Sequence, residues 1–291
     1  MSRPRKTKPK ASGKAGGKTG NRKAGKRLAL ASASADSEPW TISTRLLKFF
    51  SGFALLPLVW ILTQTFFNSF HHATVEQKFW STEEFWFFGL GVVLWAVWFV
   101  GSFWAFGEPR PLRVYVFGHE LTHAVWVWAW QGRVSKFEGW NREGGFIITD
   151  THNFWIALAP YFYPIYSFAV IVLYAVASIF YDVAGATDTF LLLTPLRWLF
   201  VLLGITWAFH LSFTIWMIPK GQSDLLYHGT WFSLVVIYLM NVLLLAFLLI
   251  LGAPEVTFAS FGSEFMENAA AFLDGVNAVI RALLGAVDRA G

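Results

Sequence analysis

The sequence predicts an all-α polytopic membrane protein with about six transmembrane segments and a small membrane-associated β-hairpin. Hydrophobic residues make up 55% of the 291 residues and charged residues only 14%, which is too apolar for a water-soluble domain of this length. The apolar residues also lie in long runs. A backbone that crosses a bilayer must satisfy its own hydrogen bonds, so these runs favour helices over open sheets.

Residues 1–38 form a separate basic region that we expect to be a disordered tail. Eleven of the 23 Lys and Arg lie between Met1 and Arg27, among small and polar residues that have little to bury. Removing these eleven positive charges from the net charge of +5 leaves the rest of the chain at −6. A nucleic-acid partner for the membrane body therefore has no support. Basic segments of this kind commonly mark the cytoplasmic side of a membrane protein.

Residues 39–255 are the predicted membrane domain. Six apolar segments follow one another, each near or above the length of about 20 residues that spans a bilayer. They run over 46–67, 84–106, 112–131, 153–181, 189–218 and 228–252. Beyond them, residues 256–291 place small and apolar side chains at helical spacing with charged residues between. This pattern is typical of an amphipathic C-terminal helix lying on the membrane surface.

A polar stretch directly after the third apolar segment predicts the β-hairpin. Two short runs with alternating polarity, Arg133–Phe137 and Phe146–Thr149, flank the turn-like residues Asn141–Gly145. Alternation with a period of two is the pattern of a half-buried strand, and Gly-rich polar residues between two such runs indicate a tight connection.

The third segment contains the motif His119-Glu120-Leu121-Thr122-His123. A helix places positions i and i+4 on one face, so both imidazoles can point at one metal ion. Glu120 lies about 100° further round the helix, where it can reach a water on that metal. Ionisable side chains are costly in a membrane segment, which makes a functional site the default hypothesis. The alternative is a buried polar cluster that hydrogen-bonds neighbouring helices.

The motif with its surroundings, Gly118-His-Glu-x-x-His-Ala124 followed by Gly132-Arg-Val-x-x-Phe137, resembles the site-2 protease family of intramembrane zinc metalloproteases. The resemblance covers roughly residues 112–235, the expected metalloprotease core. It implies that His119 and His123 bind Zn²⁺, that Glu120 is the general base, and that a later helix supplies an Asp as third ligand. The chain has no cysteine, so a zinc site must use His, Asp or Glu.

Asp224 is the best match for the third ligand. It follows a long helix and Pro219, as the Asp of the family does, although Leu225 stands where the family usually has Gly. His210, Asp150 and His228 are competing candidates. For His210, a hydrogen bond to a neighbouring helix is the favoured role.

The expected function is that of a zinc metalloendopeptidase, a hydrolase that cleaves a peptide bond within or next to a substrate transmembrane helix. Three protein ligands leave a fourth position on zinc for water, as catalysis requires. The expected partners are a membrane-embedded protein substrate and the lipid bilayer, and the expected location is the plasma (inner) membrane. The alternative is a catalytically inactive relative acting as a membrane binding or scaffold protein, against which the intact Glu120 argues.

The sidedness of the site depends on how many of the first three segments span the bilayer. If all three span, the basic tail and Asp224 lie on opposite faces of the membrane, and the positive-inside rule places the site outward, in conflict with the cytosolic site that the resemblance implies. If segment 112–131 is re-entrant, or one early segment does not span, the conflict disappears.

Overall fold

The computed structural model describes residues 42–76, 78–141, 144–253 and 255–290. Within these ranges the chain forms ten α-helices and one pair of antiparallel strands. In chain order they are α1 (Ile42–Ala54), α2 (Leu56–His71), α3 (Glu83–Phe106), α4 (Leu112–Ala129), β1 (Val134–Glu138), β2 (Phe146–Thr149), α5 (Phe154–Leu158), α6 (Ile165–Phe180), α7 (Pro195–Met217), α8 (Ser223–His228), α9 (Thr230–Gly252) and α10 (Phe258–Ala290). The predicted disordered tail over residues 1–38 lies outside the described ranges.

Five helical stretches in the described part of the chain are long and apolar enough to cross a membrane. They are Ser43–Val75, Glu83–Phe106, Pro195–Lys220, Thr230–Gly252 and Phe258–Arg289. A sixth arises if α5 with the following turn and α6 count as one span, bent by 81° at the break after Tyr161. The fourth apolar segment contains Pro160 and Pro164, and Pro164 accounts for this bend because it removes a helical hydrogen bond.

The membrane-length helices of the structure differ from the predicted transmembrane segments in two cases. Helix α4 covers the expected segment 112–131 but is not among the spanning candidates, because its Arg, His, Glu and Thr side chains lower its hydropathy. Helix α10 is among them by length and composition. The helix predicted for residues 256–291 is therefore formed, and its placement on the membrane surface stays a prediction.

Helices α3 and α7 approach each other closely at two glycines. A Cβ built at Gly91 would meet the carbonyl oxygen of Val201 and would lie 3.0 Å from the Cα of Gly204. A Cβ at Gly204 would likewise meet the carbonyl oxygen of Phe88. Small residues let membrane helices approach until their backbones touch, so these positions require glycine.

The side-chain pairs along this contact show that α3 and α7 run parallel. Arg197 at the start of α7 donates two hydrogen bonds of 2.8 Å to the carboxylate of Glu83 at the start of α3. Further along, the indole of Trp95 donates to the Ser212 hydroxyl at 2.9 Å. Both helices therefore begin at one end of the bundle and finish at the other.

Helices α1 and α2 run parallel to α9. Lys48 of α1 contacts His228 just before α9 begins, and Ala73 beyond α2 packs with Ala253 just after α9 ends. Because α8 connects the end of α7 to the start of α9, the helices α1 and α9 begin where α3 and α7 finish. We call this end of the bundle, which carries α8, the site end.

Helix α10 runs antiparallel to α2. Asn68 donates to the carboxylate of Glu264 at 2.8 Å, and Asn268 contacts the Thr65 hydroxyl at 3.4 Å. The residues of α10 after Ala269, apart from half-buried Phe272 and Gly285, have exposed side chains up to Arg289.

The predicted β-hairpin is confirmed. Strands β1 and β2 pair antiparallel, with Val134 opposite Thr149 and Glu138 opposite Phe146, and with an irregularity between Val134 and Lys136. The hairpin packs on α4: Phe117 makes edge-to-face contacts with Phe137 and Trp140. The element that follows the motif helix therefore folds back along it.

Helix α4 lies between two hydrophobic clusters. On one side Tyr115 stacks on Phe213 of α7 with ring centroids 4.7 Å apart, and Tyr166 of α6 donates to the Val114 carbonyl at 2.6 Å. On the other side Trp126 packs against the cluster of α5, α8 and α9 that contains Leu225. Packing on both sides fixes the rotation of the motif helix.

Candidate metal centre

Three side chains converge where α4 meets α8. The Nε2 atom of His119 lies 3.3 Å from Oδ2 of Asp224, and Nε2 of His123 lies 3.5 Å from the same oxygen. One ligand atom from each residue fits within 4.8 Å of the others. Zinc bonds of about 2.0–2.2 Å in tetrahedral geometry separate ligand atoms by about 3.3–3.5 Å. The two distances to Asp224 are therefore those that a tetrahedral zinc site needs.

The tautomer of His123 supports a cation at this point. Its Nδ1 lies 2.8 Å from the carbonyl oxygen of Ile156, and a carbonyl can only accept, so Nδ1 carries the proton. Nε2 then faces the Asp224 carboxylate oxygen, so a proton or a metal ion must lie between these two atoms. A ring that is anchored through its other nitrogen is the usual arrangement of a metal-bound histidine.

The backbone around Asp224 explains how the carboxylate reaches this point. After α7 a single 3₁₀ turn ends at Gly221, whose φ of 70° reverses the chain before α8 begins. Leu225 is buried at 3% exposure, and its carbonyl accepts a hydrogen bond from Ser233 of α9 at 3.1 Å. The hydroxyl of Tyr161 donates to Asp224 Oδ2 at 3.2 Å. Burial of the next residue and one hydrogen bond thus hold the carboxylate in place.

The competing third-ligand candidates do not belong to this group. Asp150 accepts the backbone N–H of Arg133 at 2.7 Å at the base of the hairpin, and this bond holds the pKa of Asp150 below its usual range. His228 contacts Lys48. His210 is buried in α7, and the described residues provide no hydrogen-bond partner for its Nε2. Among the described residues, only His119, His123 and Asp224 form a group that can hold a metal.

Glu120 lies beside this group, between α4 and the hairpin. It is 7% exposed, and His119, His123 and Asp224 lie close enough to interact electrostatically with its carboxylate. A Cβ built at Gly145 would lie 2.8 Å from Oε1 of Glu120 and 2.7 Å from the Glu138 carbonyl oxygen. The hairpin therefore closes over the carboxylate, and only glycine at position 145 leaves room for it.

A small cavity opens next to His119. It offers about 20 Å³ to the centre of a water molecule, which is enough for about one water. Tyr115, Thr122, Tyr166 and His210 line it together with His119. Water can therefore stand beside the first ligand of the motif.

Sequence reasoning did not find three residues that support the site: Tyr161, Ile156 and Gly145. Tyr161 and Ile156 lie on either side of Pro160, and the interruption of the fourth apolar segment was the available signal for irregular backbone near the site. Ile156 acts through its backbone carbonyl, and Gly145 acts because it has no side chain. Neither role depends on a reactive side chain that the sequence could reveal.

The chain matches no protein-family model, no curated protein and no solved structure. The class that the fold and site define is a helical protein with several membrane-length apolar helices and a candidate centre of two histidines and one aspartate for a metal ion. Any assignment beyond this class rests on the chemistry of the site.

Proposed function

We propose that the protein is an intramembrane zinc metalloprotease, similar to the site-2 protease family, that hydrolyses a peptide bond within or next to a substrate transmembrane helix. The observation that carries the proposal is the convergence of His119, His123 and Asp224, with the carboxylate of Glu120 buried beside them. His and Asp are ligands that zinc accepts, and three of them leave one coordination position open.

The residues of the chain divide the chemistry between them. A bound zinc ion would supply a water molecule with a pKa lowered toward about 7 and would stabilise negative charge on the attacked carbonyl. Glu120 accepts the proton of that water and later donates it to the leaving amine. Ile156 holds His123 in the ligating tautomer, and Tyr161 orients the Asp224 carboxylate. Gly145 lies next to the buried Glu120 side chain and limits its contact with bulk water.

The surroundings of the site support a membrane location. The described part of the chain has five or six apolar helices of membrane length, which is compatible with a multi-pass protein of the plasma (inner) membrane. Helix α1 begins at the site end, and the basic residues 1–27 precede α1 in the sequence. By the positive-inside rule the site end then faces the cytosol. The conflict over sidedness is resolved if α4 enters the bilayer without crossing it.

The hairpin is suited to holding an unwound substrate. A transmembrane helix hides its carbonyl groups in hydrogen bonds, so it must unwind locally before it is cut. Strands β1 and β2 pair only with each other among the described residues, so each keeps an outer edge for an added strand. Since Gly145 touches Glu120, a segment paired to the hairpin would run next to the site.

The experiment is a substrate trap with Glu120→Gln. The amide keeps the shape of the side chain but cannot accept the proton, so the variant should retain about one zinc per chain and lose cleavage. Membrane proteomes of host cells that express wild type or Glu120→Gln should differ by accumulation of an uncut membrane-spanning protein. Glu267→Gln, which makes the same change on exposed α10, should behave as wild type.

Two results would contradict the proposal. Full zinc content in both His119→Ala and His123→Ala would end the metal assignment. Normal zinc binding with no accumulated substrate in Glu120→Gln cells would instead favour the catalytically inactive relative that acts as a membrane binding or scaffold protein.

A further inference from the structure

A short hydrogen bond links the first helix to the helix that carries Asp224. The ammonium of Lys48 in α1 donates to Nδ1 of His228, the last residue of α8, at 2.7 Å. His228 is only 4% exposed, whereas Lys48 is partly buried. The two residues are 180 positions apart in the chain, so the bond joins two elements that are distant in the sequence.

His228 is connected to the residues that hold two candidate metal ligands, Asp224 and His123. It follows Asp224 by four positions, so both lie on one face of α8. Its ring also interacts with the backbone of Asn153, whose side chain caps α5 through the N–H of Ile156 at 2.9 Å. The Ile156 carbonyl in turn orients His123. A shift of His228 would therefore be transmitted to the carboxylate on one side and to the imidazole support on the other.

In this contact Lys48 is the charged donor and His228 is the neutral acceptor. Burial, and after it the positive charge of Lys48, lower the pKa of His228 to about 4, so the ring is neutral. Nδ1 is then a lone-pair acceptor for a charged donor, and such charge-assisted bonds are roughly twice as strong as neutral ones. Removal of Lys48 would leave a buried acceptor without its donor, which favours movement of the short α8 helix.

We propose that Lys48 and His228 are positioning residues that hold α8, and with it the Asp224 carboxylate, at the metal. The inference rests on the proposed metal centre and extends it to α1, which lies outside the motif and outside the region that resembles the protease family. The helix that follows the basic N-terminal segment would thus set the metal affinity of the site.

The test measures the dissociation constant for Zn²⁺ in the full-length, detergent-purified protein by competition with a fluorescent chelator. Lys48→Met keeps the length of the side chain and removes the donor. It should weaken zinc binding about tenfold to a hundredfold, the usual effect of removing a residue that orients a metal ligand. Arg45→Met removes the same charge from an exposed position of the same helix and should leave the dissociation constant unchanged.

Two further variants separate positioning from general damage to the fold. His228→Asn places an amide oxygen near the position of Nδ1 and should retain most of the affinity, whereas His228→Leu should lose as much as Lys48→Met. In an Asp224→Ala background, Lys48→Met should weaken zinc binding less than it does in the wild type, because the carboxylate that α8 positions is gone. Thermal unfolding of each variant checks that it is folded.

Each outcome decides the question. Equal zinc affinity in Lys48→Met and wild type, equal weakening by Arg45→Met, or an undiminished effect of Lys48→Met in the Asp224→Ala background would overturn the inference. If the wild-type protein itself bound no zinc, with Lys48 intact, the metal centre and the proposed function would fail first, and the inference would fall with them.

Discussion

Replacing Gly145 by alanine is predicted to impair cleavage without loss of metal. The added Cβ would lie 2.8 Å from Oε1 of Glu120 and 2.7 Å from the carbonyl oxygen of Glu138, and ordinary van der Waals contact begins at 3.4 Å. Either the carboxylate or the hairpin must therefore move by about half an ångström or more. A displacement of about 1 Å at a reacting group can cost about a hundredfold in rate. We expect kcat to fall about tenfold to a hundredfold.

The assay compares Gly145→Ala with wild type on two readouts. Turnover is measured on the substrate that accumulates in Glu120→Gln cells, and zinc content is measured by elemental analysis of the purified protein. Zinc content should be unchanged, because the three atoms nearest to the added Cβ belong to Glu120 and Glu138 and not to a candidate ligand. The control is Gly275→Ala in α10, where a Cβ meets nothing within 4 Å. Wild-type turnover in Gly145→Ala would refute the idea that the hairpin sets the position of Glu120.

Three further predictions concern the metal and the helix packing. Asp224→Ala should lose most bound zinc while His210→Leu keeps it, as metal analysis would show; the reverse pattern would make His210 the third ligand. Tyr161→Phe removes one hydrogen bond to the Asp224 carboxylate and should weaken zinc binding about tenfold, whereas an unchanged dissociation constant would assign the hydroxyl no role. Gly91→Val, which forces α3 and α7 apart, should destabilise the protein by about 2 kcal/mol or more in detergent unfolding. A Cβ built at Gly101 on the same helix meets nothing within 4 Å, so Gly101→Val should unfold like wild type. Equal unfolding of both variants would contradict the close-packing argument.

The sequence by itself determined the features that depend on local spacing. The interval of four residues between His119 and His123 places both on one helical face in any helix. The alternation in residues 133–149 predicts a hairpin because strand side chains alternate with a period of two. The lengths of the apolar runs predict membrane-length helices because the rise per residue is constant. The structure forms all three.

Only the tertiary structure decided which distant residue completes the site and what surrounds it. Asp224 lies 105 positions after His119. Whether Asp224 or His210 reaches the two histidines depends on where α7 ends and on how Leu225 packs, and no local sequence pattern determines either. The same is true of Gly145 and Ile156, which act through backbone and empty space. Hydropathy along the chain also could not tell that α4 is enclosed between neighbouring clusters. Helix α4 can contain a polar motif because it is surrounded by protein and not by lipid. The residues that surround it are distant in the sequence.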